Sequence, residues 1–193
     1  MMINSKKVKE ILENDGIIAF VTDTVWGMGC LPTSKLAVER IYEIKHRDSH
    51  KPLILMSNGI EPLRKYVKPL TEKAEELVKK HFAGALTLVI EKSELTPDYI
   101  TSGLNTVGIR VPDNKIFAEI CSCIDGNVLA TTSANLSNEP PALTYDEARK
   151  YIGDKVDLVI EDFGEKAQGR ASTVAGVFPE GIKIFRQGDV VVE

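Results

Sequence analysis

The chain has 193 residues, of which 43% are hydrophobic and 27% are charged, and its formal net charge at pH 7 is −4. This length supports one sizeable core and is short for two full domains, so we predict one domain over residues 1–193. The acidic balance argues against a protein that coats nucleic acid by bulk electrostatics and leaves room only for a local basic patch. No apolar run reaches the length that crosses a bilayer, so we expect no membrane association.

The three cysteines, Cys30, Cys121 and Cys123, are odd in number and lack paired C-x-x-C spacing. Their pattern indicates neither a disulfide framework nor a zinc site. Residues 1–14 have the pattern of an amphipathic charged helix rather than that of a signal peptide. We therefore expect a reducing, cytoplasmic location.

Apolar residues at helical spacing, together with capping residues, predict five helices. They cover approximately residues 4–16, 33–45, 71–81, 115–124 and 144–151. Apolar runs rich in β-branched residues predict strands at 17–21, 53–56, 86–90, 106–112, 128–132, 156–160, 172–178 and 182–186. The last two strands form an antiparallel hairpin, so we predict an α/β or α+β fold with a mixed open sheet flanked by helices.

The stretch after the first predicted strand carries the first candidate site. Residues 22–24, Thr-Asp-Thr, come where that strand ends, and ligands of open α/β sheets bind at such ends. Two hydroxyls and a carboxylate can hydrogen-bond a small polar ligand. Gly27 and Gly29 would let the backbone turn tightly or approach that ligand closely. The alternative is a strand that ends in an ordinary polar turn.

Residues 45–52 carry three cations and two imidazoles immediately before the predicted strand at 53–56. Arg47 offers a planar fork that suits a carboxylate or a phosphate, and Lys45 and Lys51 are point charges suited to a polyphosphate. The alternative is a solvated charged loop, which a charge run taken alone favours.

Two later strands also carry polar groups of interest. Arg110 lies in an apolar context two residues after Gly108, and a glycine inside a strand often marks close approach by another group. A buried arginine needs an anionic partner, which is either a ligand or a structural Asp or Glu. The predicted strand at 128–132 ends in a polar cluster, residues 131–135. This cluster can serve the same ligand as the opening strand if the two strands are neighbours.

The motifs of several enzyme classes are absent from the sequence. It has no G-x-x-x-x-G-K-[ST] loop, and residues 27–29 lack the third glycine of a dinucleotide fingerprint. It has no G-x-S-x-G elbow and no metal-ligand cluster. Hydroxyls, one amide and lone cations recur at strand ends, which suits the binding and orientation of an anionic substrate. Such positioning, with charge neutralisation, can supply most of the acceleration in phosphoryl and nucleotidyl transfer.

Short motifs are spread in order over nearly the whole chain. They are residues 22–29 (TDTVWGMG), 44–47 (IKHR), 51–53 (KPL), 107–112 (VGIRVP), 132–137 (TSANLS), 140–141 (PP), 172–174 (STV) and 184–188 (IFRQG). Together they resemble the YrdC/TsaC family of threonylcarbamoyl-AMP synthases. The chain ends soon after the last motif, so it resembles the short, single-domain members of that family.

The resemblance implies a YrdC-like twisted mixed sheet around a concave, positively charged cavity. It implies a nucleotidyltransferase that condenses L-threonine, bicarbonate or CO2, and ATP to threonylcarbamoyl-adenylate and pyrophosphate. This reaction is the first step towards threonylcarbamoyladenosine at position 37 of tRNAs that read ANN codons. The implied partners are downstream threonylcarbamoyl transferase proteins, with tRNA or double-stranded RNA as a further partner, and magnesium would accompany ATP.

The family pattern also implies roles for individual residues. The residues that would hold threonine are Thr24, Arg110 and Ser172, with Thr131 or Ser133 beside them. The residues that would hold ATP are Arg47, Lys51, Thr106, Ser133, Asn135 and Arg186, and the catalytic pair at the phosphates would be Lys45 and Arg47. No residue is identified as a general base, and no protein ligand for a metal is implied.

Met56 departs from the family pattern, which often has at this position a histidine that helps to hold threonine. Residues 83–85, Ala-Gly-Ala, likewise replace Pro-Gly-Pro. These departures keep open a paralogue of the YciO branch with a different substrate. A second alternative is a non-enzymatic module that binds double-stranded RNA or tRNA in the same concavity without nucleotide turnover.

Overall fold

The computed structural model describes residues 2–45 and 51–192, and within them nine strands form one mixed sheet. The strands are β1 (Ile18–Phe20), β2 (Gly27–Cys30), β3 (Ile54–Ser57), β4 (Leu86–Glu91), β5 (Thr106–Arg110), β6 (Val128–Ser133), β7 (Leu158–Val159), β8 (Thr173–Phe178) and β9 (Gly181–Arg186). Their order across the sheet is β7-β1-β2-β6-β3-β5-β4-β8-β9. The predicted mixed sheet with an antiparallel closing hairpin is confirmed.

Helices flank this sheet. They are α1 (Ser5–Glu13), α2 (Lys35–Lys45), α3 (Glu61–Arg64), α4 (Glu72–His81), α5 (Asp98–Thr101), α6 (Lys115–Ser122) and α7 (Tyr145–Ile152). The predicted helices correspond to α1, α2, α4, α6 and α7. The pattern did not predict α3 and α5, because a single turn is too short to show helical periodicity. Among the described residues, no helix combines the length and the apolar character that crossing a membrane requires.

Side-chain caps determine where the longer helices begin. The capping residues are Asn4, Ser34, Thr71, Asn114 and Thr144. In each case a side-chain oxygen accepts a hydrogen bond from a backbone N–H three residues further on. Such a cap satisfies a donor that has no partner within the helix, and it stabilises the protein by about 1 kcal/mol. After α1, Asp15 has a left-handed backbone conformation, with φ of 58°.

The strand register collects side chains from distant segments on one face of the sheet. Ile54 in β3 pairs with Gly108 in β5 and with Thr131 in β6, and Met56 in β3 pairs with Arg110 in β5. Side chains of residues paired in this way project from the same face of a sheet. This face therefore carries two of the predicted site residues, Arg110 and Thr131, beside two apolar residues.

Of the two alternatives for Gly27 and Gly29, the tight turn is wrong, because both lie in β2, whereas close approach to a ligand stays a prediction. β2 lies between β1 and β6 and pairs with both, so β1 and β6 are not neighbours. A Cβ atom on Gly29 would lie 2.8 Å from the carbonyl oxygen of Ala130 and 2.9 Å from Cγ2 of Thr131. Glycine is therefore needed here for close approach to β6.

We expect Gly29→Ala to lower the free energy of unfolding by about 1–3 kcal/mol, the usual cost of overpacking a well-packed interior. The matched control is Gly59→Ala, since a Cβ atom on Gly59 meets nothing within 4 Å. The control should change the free energy of unfolding by less than about 0.5 kcal/mol. Urea denaturation of both variants measures the difference, and equal midpoints would contradict the close approach of β2 to β6.

Candidate functional site

A cavity of about 370 Å³ lies on the face of the sheet that carries Arg110 and Met56. Its wall comes from β2, β3, β4, β5, β6, β8 and β9, from the loops after β1 and β6, and from the loops before β3 and β8. The predicted site residues on this wall are Thr24, Arg110, Thr131, Ser133, Asn135, Ser172 and Arg186. The fold therefore brings together hydroxyl, amide and guanidinium groups from segments that are far apart in the sequence.

Arg110 is the buried cation of the cavity wall, and its side chain is only 5% exposed. Its Nη2 donates to the carboxylate of Asp23 at 2.5 Å, and its Nη1 donates to Oγ1 of Thr24 at 2.9 Å. Its Nε donates to the carbonyl oxygen of Gly84 at 3.0 Å. The sequence predicted an anionic partner for Arg110 but did not identify it, and the structure shows that this partner is Asp23.

The environment of this ion pair acts on both of its members. Burial raises the pKa of the Asp23 carboxyl, and the neighbouring charge of Arg110 opposes that rise. Burial also lowers the pKa of Arg110, whereas Asp23 raises it. Because arginine does not lose its proton in proteins, the guanidinium of Arg110 stays charged at neutral pH. The cavity therefore keeps a positive group in its wall.

Ser172 connects β4 with β9 at the cavity. Its hydroxyl oxygen lies 2.9 Å from Oγ1 of Thr87 and accepts a hydrogen bond from Nη2 of Arg186 at 3.1 Å. Nε of Arg186 donates to the carbonyl oxygen of Ser172 at 2.9 Å. Beyond the effect of burial, the charge of Arg186 also lowers the pKa of Arg110, so the two guanidinium groups lie within electrostatic range. An anion between them would be attracted to both.

Lys45 is 3% exposed and is not among the described residues of the cavity wall. Its Nζ donates to the carbonyl oxygen of Ser133 at 2.9 Å, to the Ser133 hydroxyl at 3.2 Å and to Oδ1 of Asn135 at 2.5 Å. The amide nitrogen of Asn135 donates in turn to the carbonyl oxygen of Glu139. Lys45 thus orders two residues of the wall from behind, and its direct contact with phosphates stays a prediction.

Three further predicted ATP ligands, Arg47, Lys51 and Thr106, are not among the described residues of the wall. Arg47 lies outside the described residues. Lys51 is exposed beside Pro52, which does line the cavity. Thr106 begins β5, four residues before Arg110, which separates the two by about 13 Å along an extended strand. The structure therefore does not bring Thr106 to the wall, and its role in ATP binding stays a prediction.

The wall also contains residues that the sequence did not single out as site residues. They include Trp26, Ile54, Thr87 and Val174. The sequence does indicate Thr87, because its side chain places a hydroxyl inside the otherwise apolar strand predicted at 86–90. Trp26 is fully buried, and its Nε1 has no hydrogen-bond partner in the part of the chain that the structure describes. No local sequence pattern reveals such a buried donor.

The described part of the wall has a positive charge, since it contains two arginines and no acidic residue. In residues 2–45 and 51–192, no group of three or more His, Cys, Asp or Glu is arranged to hold a metal ion. The wall is therefore suited to an anionic ligand that also has groups for hydroxyls and an amide to bind.

A family model for the Sua5/YciO/YrdC domain, described as Telomere recombination, matches residues 10–188. The chain belongs to this family. The threonylcarbamoyl-AMP synthase of Pyrococcus abyssi is 36% identical to this chain over 178 residues. The aligned part covers 92% of this chain and 52% of that protein. The threonylcarbamoyl-AMP synthase of Enterobacter sp. strain 638 is 34% identical over 157 residues, covering 80% of this chain and 82% of that protein.

A solved structure of the Sua5/YciO/YrdC family shares the fold. P. abyssi Sua5 complexed with L-threonine matches with a TM-score of 0.89 at 32% identity, covering 97% of this chain and 56% of that chain. The chain thus spans about half the length of the P. abyssi relatives that it matches. The predicted family and fold class are confirmed.

Trp26 is the one tryptophan of the chain and forms part of the wall, so its fluorescence should report occupancy of the cavity. We expect ATP, the nucleotide predicted from the sequence, to change the emission in a saturable way when excitation avoids the absorption of adenine. Sodium chloride at equal ionic strength is the control for charge screening, and Trp26→Phe should lack the signal. ATP binding detected by calorimetry without a change in emission would locate the ligand elsewhere.

Proposed function

We propose that the chain is a threonylcarbamoyl-AMP synthase, which condenses L-threonine, bicarbonate or CO2, and ATP to threonylcarbamoyl-adenylate and pyrophosphate. The observation that carries this proposal is one cavity whose wall combines Arg110, suited to a carboxylate, with Ser133, Asn135 and Arg186, suited to a nucleotide. Relatives with that name at 34% and 36% identity support it. The L-threonine bound to P. abyssi Sua5 supports the same assignment.

Arg110 binds the carboxylate of threonine in this proposal. After the hydrogen bonds that Asp23 and Thr24 accept, each terminal nitrogen of Arg110 has one N–H that no described residue uses. Two such donors match the two oxygens of a carboxylate. Thr131 and Ser172 on the same wall offer hydroxyls to the amine and the hydroxyl of the substrate.

The nucleotide lies against Ser133, Asn135 and Arg186 in this proposal. The guanidinium of Arg186 opposes the phosphates, and the ammonium of Lys45, through its bond to Oδ1 of Asn135, orients the amide and adds positive charge. Arg47, Lys51 and Thr106 complete the proposed set of ATP ligands.

The proposed reaction joins two anions. The threonine amine adds to CO2 and loses a proton, which gives a carbamate. A carbamate oxygen then attacks the α-phosphorus of ATP, the bond from that phosphorus to the oxygen of the β-phosphate breaks, and pyrophosphate leaves. Arg110 and Arg186 assist because they hold a carboxylate and a phosphate close together, which offsets the repulsion between the reactants.

Magnesium would enter with ATP in this proposal, coordinated by phosphate oxygens, because the described wall offers no acidic residue as a ligand. When bound, it would neutralise phosphate charge. We also propose a cytoplasmic location, which fits three cysteines that are all free thiols. Downstream threonylcarbamoyl transferase proteins would pass the product to tRNA.

Met56 favours a second candidate, a YciO-like paralogue with a different substrate. It lies on the cavity wall and pairs with Arg110 across β3 and β5. Its thioether is only a weak hydrogen-bond acceptor, so it offers little to a hydroxyl or an amine. A substrate with an apolar group at this point would gain more from Met56 than threonine does.

The proposal is tested by an assay for AMP-linked product with threonine, with serine and without an amino acid, each with ATP and bicarbonate. We expect product with threonine and at least about tenfold less with serine, because the missing methyl group weakens apolar contact. Turnover that ignores threonine would favour the YciO-like paralogue. Salt-sensitive binding of tRNA without any turnover would favour the RNA-binding module.

Lys45→Ala and Arg47→Ala should each lower threonine- and bicarbonate-dependent pyrophosphate release by at least about 100-fold, the usual loss when one preorganised stabilising group is removed. Lys35→Ala is the matched control, because Lys35 lies on the same helix with a side chain that is 66% exposed. Urea denaturation verifies that each variant is folded. Normal turnover by either folded variant would contradict its assignment to the catalytic pair.

A further inference from the structure

Asp23 and Arg110 form a buried ion pair beside the cavity, with side chains that are 10% and 5% exposed. Arg110 lies on the cavity wall, whereas Asp23 is not among the described residues of that wall. We propose that Asp23 is a positioning residue, which holds the guanidinium of Arg110 so that its remaining N–H groups receive the carboxylate of the amino-acid substrate. This inference rests on the proposed function of the same site.

The hydrogen bonds of Arg110 support this role, because they hold the guanidinium on three nitrogens. Gly84 accepts from Nε, Thr24 from Nη1 and Asp23 from Nη2. All three hydrogen bonds have the charged guanidinium as donor, and of the three acceptors only the Asp23 carboxylate carries the opposite charge, so this contact adds the attraction of an ion pair. Asp23 is therefore the strongest constraint on the direction in which Arg110 points.

The segment that carries Asp23 is itself held in place. The carbonyl oxygen of Asp23 accepts from the backbone N–H of Gln168 at 3.3 Å, and that of Thr24 accepts from Gly169 at 2.8 Å. The hydroxyl of Thr22 donates to the carbonyl oxygen of Val25 at 2.6 Å. The carboxylate is thus fixed before a ligand arrives, which reduces the entropy lost on binding.

The charges around the cavity give a second argument for this role. The positive charge of Arg186 acts against that of Arg110, and repulsion between two cations is strong where water is excluded. Asp23 compensates the charge of Arg110 and keeps it in the wall. Without this carboxylate, the guanidinium would turn towards solvent and away from the position that a substrate carboxylate needs.

The test is isothermal titration calorimetry of L-threonine and, separately, of ATP with the full chain and its variants. Asp23→Ala should raise the Kd for threonine at least about tenfold, since a hydrogen bond to a charged group is lost. Asp23→Asn should raise it less, because the amide oxygen still accepts from Nη2. The Kd for ATP should stay within about twofold in both variants, which a general loss of structure would not allow.

Asp157→Ala is the matched control, because it removes another carboxylate that pairs with an arginine, Arg40, at 3.0 Å. It should leave the Kd for threonine unchanged. Threonine binding that is equally tight in wild type and in both Asp23 variants would overturn the inference. Failure of the wild-type chain to bind threonine at all would instead overturn the proposed function, and the inference with it.

Chemical rescue gives an independent test that does not need Asp23→Ala to fold. Millimolar guanidinium chloride should restore part of the threonine binding that Arg110→Ala loses, because a free guanidinium ion can occupy the space beside Asp23. It should restore none in the double variant Arg110→Ala with Asp23→Asn. Equal rescue in the two proteins would show that Asp23 does not position the guanidinium.

Discussion

Burial of positive charge is the constraint on which this site depends. A guanidinium or an ammonium removed from water costs several kcal/mol unless polar groups surround it. Arg110 and Lys45 are both buried, and their side-chain partners come from the loop after β1 and from the end of β6 with its following loop. Arg110 therefore holds the segment after β1 beside the cavity, and Lys45 holds the end of β6 and its following loop there. The networks that make the charges tolerable also orient Thr24, Ser133 and Asn135 before any ligand binds.

Much of the fold follows from local patterns in the sequence. The longer helices have apolar residues at helical spacing and a capping side chain, and most strands are short apolar runs between turn signals. β2 is the informative exception. The glycines of Gly27–Cys30 allow a tight turn, and their extended conformation comes from pairing with β1 and β6 on both sides. Pairing of this kind is a tertiary effect, which a local pattern does not encode.

The candidate site could be predicted in part. The apolar context of Arg110 showed that an anion must lie near it, but Asp23 is 87 residues away in sequence, and no periodicity encodes that distance. The family motifs identified Thr24, Asn135 and Arg186, which do share one cavity. They did not distinguish a residue on the wall from one behind it, as Lys45 shows, because that depends on the direction of the side chain across the fold.

Arg186 lines the cavity and also belongs to β9, the edge strand of the described sheet. Among the described residues, β9 is the outermost strand and pairs with β8 alone, and strands of this kind fray more readily than central ones. Each opening of β9 would withdraw a guanidinium from the cavity, so affinity for an anion falls with the fraction of time spent frayed. By the same linkage, a ligand bound in the cavity would stabilise β9 in its pairing with β8 at the edge of the sheet.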